Sequence, residues 1–215
     1  MRELSIDGFN LTIEDVVDTG RNLTNVSLSE EARGRMEGSR SVVEEIIQSD
    51  DVVYGINTGF GALSSVKIDS NDLKILQENL IRSHACGVGE NMEYDHVKMM
   101  MLIRANTLCR GQSGSRPIVV ETLIQMINSG VCPVIPRIGS LGASGDLAPL
   151  SHLALALIGE GECEVSVGDS FTIMGSSSAL KKYGIKPISL EAKEGLSLIN
   201  GTSQMCAYMC ETIAN

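Results

Sequence analysis

The sequence predicts a mainly α-helical protein with a small β-hairpin or irregular portion. Three observations support this fold class. Apolar residues recur at three- and four-residue spacing along most of the 215 residues, as they do on the buried face of a helix. Several of these runs begin after a serine or threonine and end at a glycine or proline, which are common helix boundaries. Polar and apolar residues alternate, as in strands, from Cys163 to Ile173.

Side-chain caps predict where the first three helices begin. Thr12 and Ser29 each precede a periodic run and can accept a hydrogen bond from a helical N–H group. The pair Ser70-Asn71 stands before a third run. Between the second and third helices, residues 52–54 form a short extended run, and the glycine-rich residues 55–61 form an irregular loop. The three predicted helices are 13–18, 30–48 and 70–83.

The fourth predicted helix, residues 94–110, is apolar on nearly all faces between Met99 and Ile103. A helix of this kind is buried in a bundle or at an oligomer interface. Exposure of these side chains in a monomer would be unfavourable, so the sequence predicts that the protein self-associates.

Prolines and glycines divide the rest of the chain. Pro117 fits the first turn of a fifth helix that ends at Gly130, and the prolines at positions 133 and 136 prevent its continuation. The last helix reaches Asn215 without a cap, which predicts that the natural chain continues. The other predicted elements are a helix at 149–158, a hairpin at 163–173 turning at Gly168-Asp169, a loop at 183–187, and a helix from Lys193 that breaks at Asn200-Gly201 and resumes at Thr202.

Composition argues against several classes of function. The formal net charge of −10 disfavours nucleic acid as a partner, because a phosphate-binding surface needs clustered lysine and arginine. No apolar run approaches the ~20 residues of a membrane span, and the charged amino terminus does not resemble a signal peptide, so we expect a cytoplasmic protein. The six cysteines form no C-x-x-C pair, and with three histidines they show no metal-ligand spacing. Free, buried thiols are therefore expected.

The triplet Ala143-Ser144-Gly145 can undergo an unusual reaction, because it lies in a glycine-rich turn ahead of an apolar helix. In a tight turn the Gly145 nitrogen can attack the Ala143 carbonyl, since glycine has no side chain to block the approach. Loss of water from that ring and of the Ser144 hydroxyl would leave an exocyclic alkene conjugated to a carbonyl. Such a group is an electrophile, which no ordinary side chain supplies.

The whole block from Gly139 to Leu155 resembles the signature of the aromatic amino acid ammonia-lyases. In that family the Ala-Ser-Gly triplet becomes the electrophile 4-methylideneimidazole-5-one (MIO), without an external cofactor. By this resemblance, Ala143, Ser144 and Gly145 are its precursors. Asp146, together with Gly142, would support the compressed turn.

Three further segments extend the resemblance and add candidate site residues. The loop Tyr54-Gly-Ile-Asn-Thr-Gly-Phe-Gly is similar to the one that carries the family's catalytic tyrosine, so Tyr54 is the candidate base for the substrate β-hydrogen. Ser83 and His84 match the family's substrate-selecting pair, and Ser-His is typical of the histidine-type lyases. Asn200 matches an asparagine beside the modified group, where its amide could donate or accept a hydrogen bond. Residues 104–117 resemble scaffold around the site.

The resemblance implies a carbon–nitrogen lyase that removes ammonia from an aromatic α-amino acid, with histidine favoured by Ser83-His84. The alternatives are an MIO-dependent aromatic aminomutase, a tyrosine or phenylalanine ammonia-lyase, and a noncatalytic scaffold domain. Family members are long helical proteins that assemble as homotetramers. The resemblance therefore implies an MIO-bearing N-terminal domain at 1–200 and the start of a central helical bundle at 201–215, inactive as an isolated fragment.

Overall fold

The computed structural model describes residues 1–69, 72–167 and 170–214, and within them the predicted mainly α fold class is confirmed. In the described residues, seven short strands accompany the helices: β1 (Arg2–Ile6), β2 (Thr24–Leu28), β3 (Val88–Asn91), β4 (Val131–Pro133), β5 (Pro136–Ile138), β6 (Glu162–Val167) and β7 (Ser170–Gly175). The α-helices of the described residues are α1 (Ile13–Gly20), α2 (Glu30–Gln48), α3 (Leu73–His84), α4 (Tyr94–Cys109), α5 (Pro117–Ser129), α6 (Leu147–Leu157), α7 (Ser176–Lys182), α8 (Glu194–Ile199) and α9 (Ser203–Ala214).

Local capping explains why several helix ends agree with the prediction. The Thr12 Oγ1 accepts the Asp15 N–H at 3.1 Å, and the Asp15 carboxylate accepts the Thr12 N–H at 3.0 Å, which closes a capping box on α1. Ser29 caps α2 in the predicted way, and Gly130 ends α5 in the left-handed conformation with φ 65°. The predicted start of α3 at Ser70-Asn71 lies outside the described residues.

The strands are the part of the fold that the sequence predicted least well. The predicted hairpin is present as β6 and β7, and β4 adds a third antiparallel strand beside β6. The hairpin turn at Gly168-Asp169 lies outside the described residues, as does Asn215. The parallel pair of β1 and β2, the antiparallel pair of β3 and β5, and helix α7 were not predicted. These elements are short, and the strand pairs join segments that are distant in sequence.

Helix α4 lies at the centre of the hydrophobic core. Its residues Met99, Met100, Met101 and Leu102 are fully buried, because α1, α5 and α9 of the same chain pack around it. The prediction that this helix is buried in a bundle is therefore confirmed. Because the chain covers this face itself, the face gives no reason for self-association, which stays a prediction. In the described residues, no helix combines the length and the apolar character needed to cross a bilayer.

The thiols only partly match the expectation that they are buried. All six cysteines are free, and Cys109, Cys132 and Cys163 are buried in the core. Cys86, which follows α3, is exposed, and the two cysteines of α9 are partly exposed. The expectation of buried thiols was therefore wrong for Cys86.

Candidate active site

A cavity of about 250 Å³ brings together four residues that were predicted from separate segments of the sequence. Tyr54, His84, Ser144 and Asn200 all line it. The helices α3, α6 and α8 pack on one another and carry three of these segments to the same place. The rest of the lining is apolar and consists of Phe60, Leu80, Leu147, Leu196 and Ile199.

The triplet forms a compact turn immediately before α6. The Gly145 N–H donates to the Gly142 carbonyl at 3.1 Å, and the Leu141 N–H donates to the Gly145 carbonyl at 2.7 Å. Gly142 and Gly145 have φ of 84° and 71°, a region that favours glycine. A Cβ at position 145 would lie 2.8 Å from the Met205 Sδ, so a side chain there would require the Met205 side chain to move. Half-buried Ser144 is the triplet residue that lines the cavity.

Asp146 joins this turn to the rest of the site. Its carboxylate is fully buried, and it accepts the Ser140 hydroxyl at 2.7 Å and the Met205 N–H at 3.1 Å. The Asp146 N–H donates to the Gly201 carbonyl at 3.1 Å, beside a β-bridge between Gly145 and Gly201. The turn is therefore held from both sides, by the start of α9 and by the break between α8 and α9.

Asn200 lies at that break, where its position depends on α8. Its N–H donates to the Leu196 carbonyl at 3.1 Å, and its side chain is exposed at the cavity wall. The Leu196 N–H in turn donates to the buried Gln77 Oε1 of α3 at 3.2 Å. A Cβ at Gly195 would lie 2.8 Å from the Gln77 carbonyl oxygen, so α8 packs directly on the backbone of α3.

Side chains within the glycine-rich loop hold Tyr54 in place. Asn57 is buried, and its amide accepts the Val53 N–H at 2.8 Å and donates to the Asp51 carbonyl at 2.8 Å. The Tyr54 ring meets Phe60 edge to face, with centroids 6.3 Å apart. Because Tyr54 is 58% exposed, it stands on the open side of the cavity.

Of the predicted substrate-selecting pair, His84 lines the cavity and Ser83 lies beside it. The His84 Nδ1 is 2.9 Å from the Leu80 carbonyl oxygen, which can only accept, so we assign a proton to Nδ1; in the neutral tautomer with this proton, Nε2 is the acceptor. Ser83 is exposed and is not among the lining residues. Its hydroxyl donates to the same carbonyl at 2.8 Å and lies 3.0 Å from the His84 Nδ1. Ser83 therefore orients His84.

Sequence reasoning missed the apolar walls of the cavity. Leu196 and Ile199 lie three residues apart on α8, a spacing that was read only as helical. It also missed the role of Met205, whose backbone N–H binds Asp146. His152 of α6 accepts the Gly87 N–H at 3.2 Å through Nε2 and anchors the segment that follows His84.

The family model described as aromatic amino acid lyase matches residues 11–215, and the chain belongs to this family. Histidine ammonia-lyase from Alkaliphilus oremlandii is 49% identical over 213 residues, which cover 99% of this chain and 41% of that protein.

Solved structures of family members have the same fold. Histidine ammonia-lyase from Trypanosoma cruzi superposes with a TM-score of 0.89 and 38% identity, over 99% of this chain and 40% of that one. Tyrosine aminomutase from Streptomyces globisporus superposes with a TM-score of 0.88 and 37% identity, over 99% of this chain and 39% of that one. The chain thus spans about 40% of the length of the relatives it matches.

Proposed function

We propose that this chain forms the N-terminal part of a histidine ammonia-lyase, a carbon–nitrogen lyase that converts L-histidine to urocanate and ammonia. The observation that carries the proposal is the cavity shared by Tyr54, His84, Ser144 and Asn200. The similarity to histidine ammonia-lyases, at 49% identity for the Alkaliphilus protein, supports histidine as the substrate. The proposal includes assembly of the whole protein as a cytoplasmic homotetramer, with an MIO-bearing domain at 1–200 and a central bundle beginning at 201–215.

The proposed electrophile, MIO, comes from the triplet itself. The Gly145 nitrogen would bond to the Ala143 carbonyl carbon, whose oxygen leaves as one water, and Ser144 would lose its hydroxyl and α-hydrogen as a second. The compact turn and the two glycines with positive φ support this assignment. Once formed, the group supplies an electrophilic alkene that binds the substrate covalently and helps ammonia to leave.

The other residues of the cavity have separate proposed roles. Tyr54, at the open side, takes the proton from the substrate β-carbon as a general base. The His84 Nε2 lone pair accepts a hydrogen bond from the imidazole N–H of the substrate. Asn200 offers an amide donor and acceptor to the substrate amine or to the modified triplet. The apolar side chains of the lining exclude water from the reacting atoms.

An aminomutase reaction is the second candidate. The similarity to the tyrosine aminomutase from Streptomyces globisporus favours it, because that protein has the same fold at 37% identity. An aminomutase would use the same residues but return ammonia to the β-carbon. Analysis of the products formed from L-histidine and L-tyrosine separates these reactions from each other and from a tyrosine ammonia-lyase.

Intact mass spectrometry tests the proposal. We expect the mass of the protein to be lower than the sequence mass by two waters, and Ser144→Ala to prevent the loss of the second. Ser64→Ala, which changes a serine outside the cavity lining, should still lose two waters. An unmodified triplet both in this chain and in a protein of the relatives' full length would instead support a noncatalytic scaffold domain.

A further inference from the structure

A second cavity, of about 270 Å³, adjoins the candidate active site and shares Leu196 and Asn200 with it. Three of its lining residues are cations, namely Arg104, Arg110 and Lys193. No carboxylate is among the lining residues. Within the part of the chain that the structure describes, none of the three cations takes part in an ion pair, and the Arg110 guanidinium lies over the Phe9 ring, 4.7 Å from its centroid. The cavity therefore has an uncompensated positive charge.

Arg104 is the most deeply buried of these cations, with 3% of its surface exposed. Its guanidinium donates to the Ser197 carbonyl, but the buried Nε has no hydrogen-bond partner. Burial lowers the pKa of Arg104 to about 10, so the group is still charged at neutral pH. A buried charge with an unsatisfied donor is unfavourable unless an anion accompanies it.

Lys193 is held in the cavity wall by an unusual backbone. Its φ is 76°, and in the described residues Asn22 is the other non-glycine residue with positive φ. Such a conformation is unfavourable for lysine, and strain of this kind is concentrated at functional sites. Burial also lowers the pKa of the Lys193 amine, an effect that a nearby anion would oppose.

We propose that this cavity is a binding site for a phosphate-type oxyanion. Three positive charges without a carboxylate favour a dianion over a monoanion, and a guanidinium such as that of Arg104, which lines the cavity, is a good hydrogen-bond donor to phosphate oxygens. Thr107, Gln112 and Ser113 add uncharged hydrogen-bonding groups to the same wall. The inference concerns binding alone and does not depend on the proposed lyase reaction.

Calorimetric titration of this protein with inorganic phosphate, at constant ionic strength, tests the site. We expect saturable binding that Lys193→Gln weakens by about tenfold, because one close charge is lost. The matched control is Lys186→Gln, which removes the same charge from an exposed position outside the cavity. Arg110→Gln is the second test variant and avoids removal of the buried Arg104. Circular dichroism confirms that each variant is folded.

The absence of saturable phosphate binding would overturn the proposal, and so would unchanged affinity in folded Lys193→Gln and Arg110→Gln. Acetate that bound as tightly as phosphate would overturn the assignment of a dianion. A titration with glycerol phosphate distinguishes the sources of the phosphate group. Tighter binding of this ester assigns the site to a phosphorylated metabolite, and tighter binding of inorganic phosphate assigns it to the free ion.

Discussion

Among single residues, Asp146 has the most direct control over the triplet turn. Both of its carboxylate oxygens accept hydrogen bonds, from Ser140 and from the Met205 N–H, in a fully buried position. In Asp146→Asn one oxygen becomes an NH₂ group, which cannot accept the hydrogen bond that this oxygen received. We expect the free energy of unfolding to fall by about 1–3 kcal/mol. Because the turn would be held less tightly, we also expect less complete loss of water from the triplet, measured by intact mass.

The control for this variant is Asp50→Asn, which makes the same change at a fully exposed side chain. Its free energy of unfolding should stay within about 0.5 kcal/mol of the parent protein. An Asp146→Asn protein that matched the parent in both stability and mass would show that the carboxylate does not hold the turn.

His152 should make stability depend on pH. Burial lowers the pKa of His152, and the imidazole must be neutral at Nε2 to accept the Gly87 N–H. Below about pH 6.5, its usual pKa when unfolded, the unfolded chain therefore binds more protons than the folded one. The stabilising contribution is complete above that pH and is lost as the pH falls through the lower pKa of the folded state.

The measurement for His152 is the melting temperature between about pH 7 and pH 5, for the parent and for His152→Gln. We expect the parent to lose more stability than the variant over this range. The other two histidines are present in both proteins, so their contributions cancel. Parallel curves would contradict a role for His152 in this range.

At the scale of elements, the packing of α8 on α3 depends on a residue without a side chain. A Cβ at Gly195 would lie 2.8 Å from the Gln77 carbonyl oxygen and 3.1 Å from the Gln77 Cβ, so Gly195→Ala must push the helices apart. We expect a loss of about 1–3 kcal/mol in denaturant unfolding. Activity of the full-length enzyme should also fall, because Leu196 and Asn200 would move with α8.

Gly38→Ala is the matched control for this substitution. Gly38 lies within α2, and a Cβ there would meet nothing within 4 Å. Alanine should therefore stabilise the protein by about 0.5–1 kcal/mol, since it favours the helical conformation more than glycine does. Equal effects of the two substitutions would contradict the close packing of α8 on α3.

Local signals explain which elements the sequence could predict. Thr12, Ser29 and Gly130 act within a few residues of the helix ends that they define, so those ends were predicted correctly. The pairing of β1 with β2 was not predictable, because no local pattern in Arg2–Ile6 or Thr24–Leu28 indicates which strand is the partner.

The residues of the candidate site could likewise be predicted one by one, but not their arrangement in space. Four separate motifs predicted Tyr54, His84, Ser144 and Asn200 as site residues. The packing of α3, α6 and α8 is what places them around one cavity. The burial of the apolar α4 by its own chain was likewise not visible in the sequence, since periodicity shows that a face is buried but not which surface covers it.

Across the whole molecule, one ion-pair network connects distant parts of the chain. Glu194 of α8 is fully buried and binds Arg116 at 2.7 Å, at the start of α5. Arg116 also contacts Glu191, which binds the buried Arg40 of α2 at 3.1 Å and Lys74 of α3 at 3.4 Å. Three helices, α2, α3 and α5, are thereby tied to α8 and to the segment that leads into it.

Loss of the buried carboxylate should therefore weaken the whole fold. In Glu194→Gln the charge that compensates Arg116 is removed, and the amide nitrogen cannot accept the hydrogen bonds made to the oxygen that it replaces, whether from Arg116 alone or from Arg116 and the Glu191 N–H. Breaking a buried pair in this way typically costs about 3–5 kcal/mol. We expect a loss near the lower figure, because Arg116 keeps its contacts with Glu191 and the Ser189 carbonyl.

Denaturant unfolding of Glu194→Gln and Glu30→Gln measures this difference. Glu30 pairs with Arg33 at 3.6 Å, but its side chain is 88% exposed, so its loss should change stability by no more than about 0.5 kcal/mol. If the network couples the helices, the fluorescence of the tyrosines and the circular dichroism of the helices should lose signal at the same, lower denaturant concentration. Separate transitions would mean that α8 detaches alone. The ion-pair network would then hold α8 at the candidate active site without stabilising the other helices.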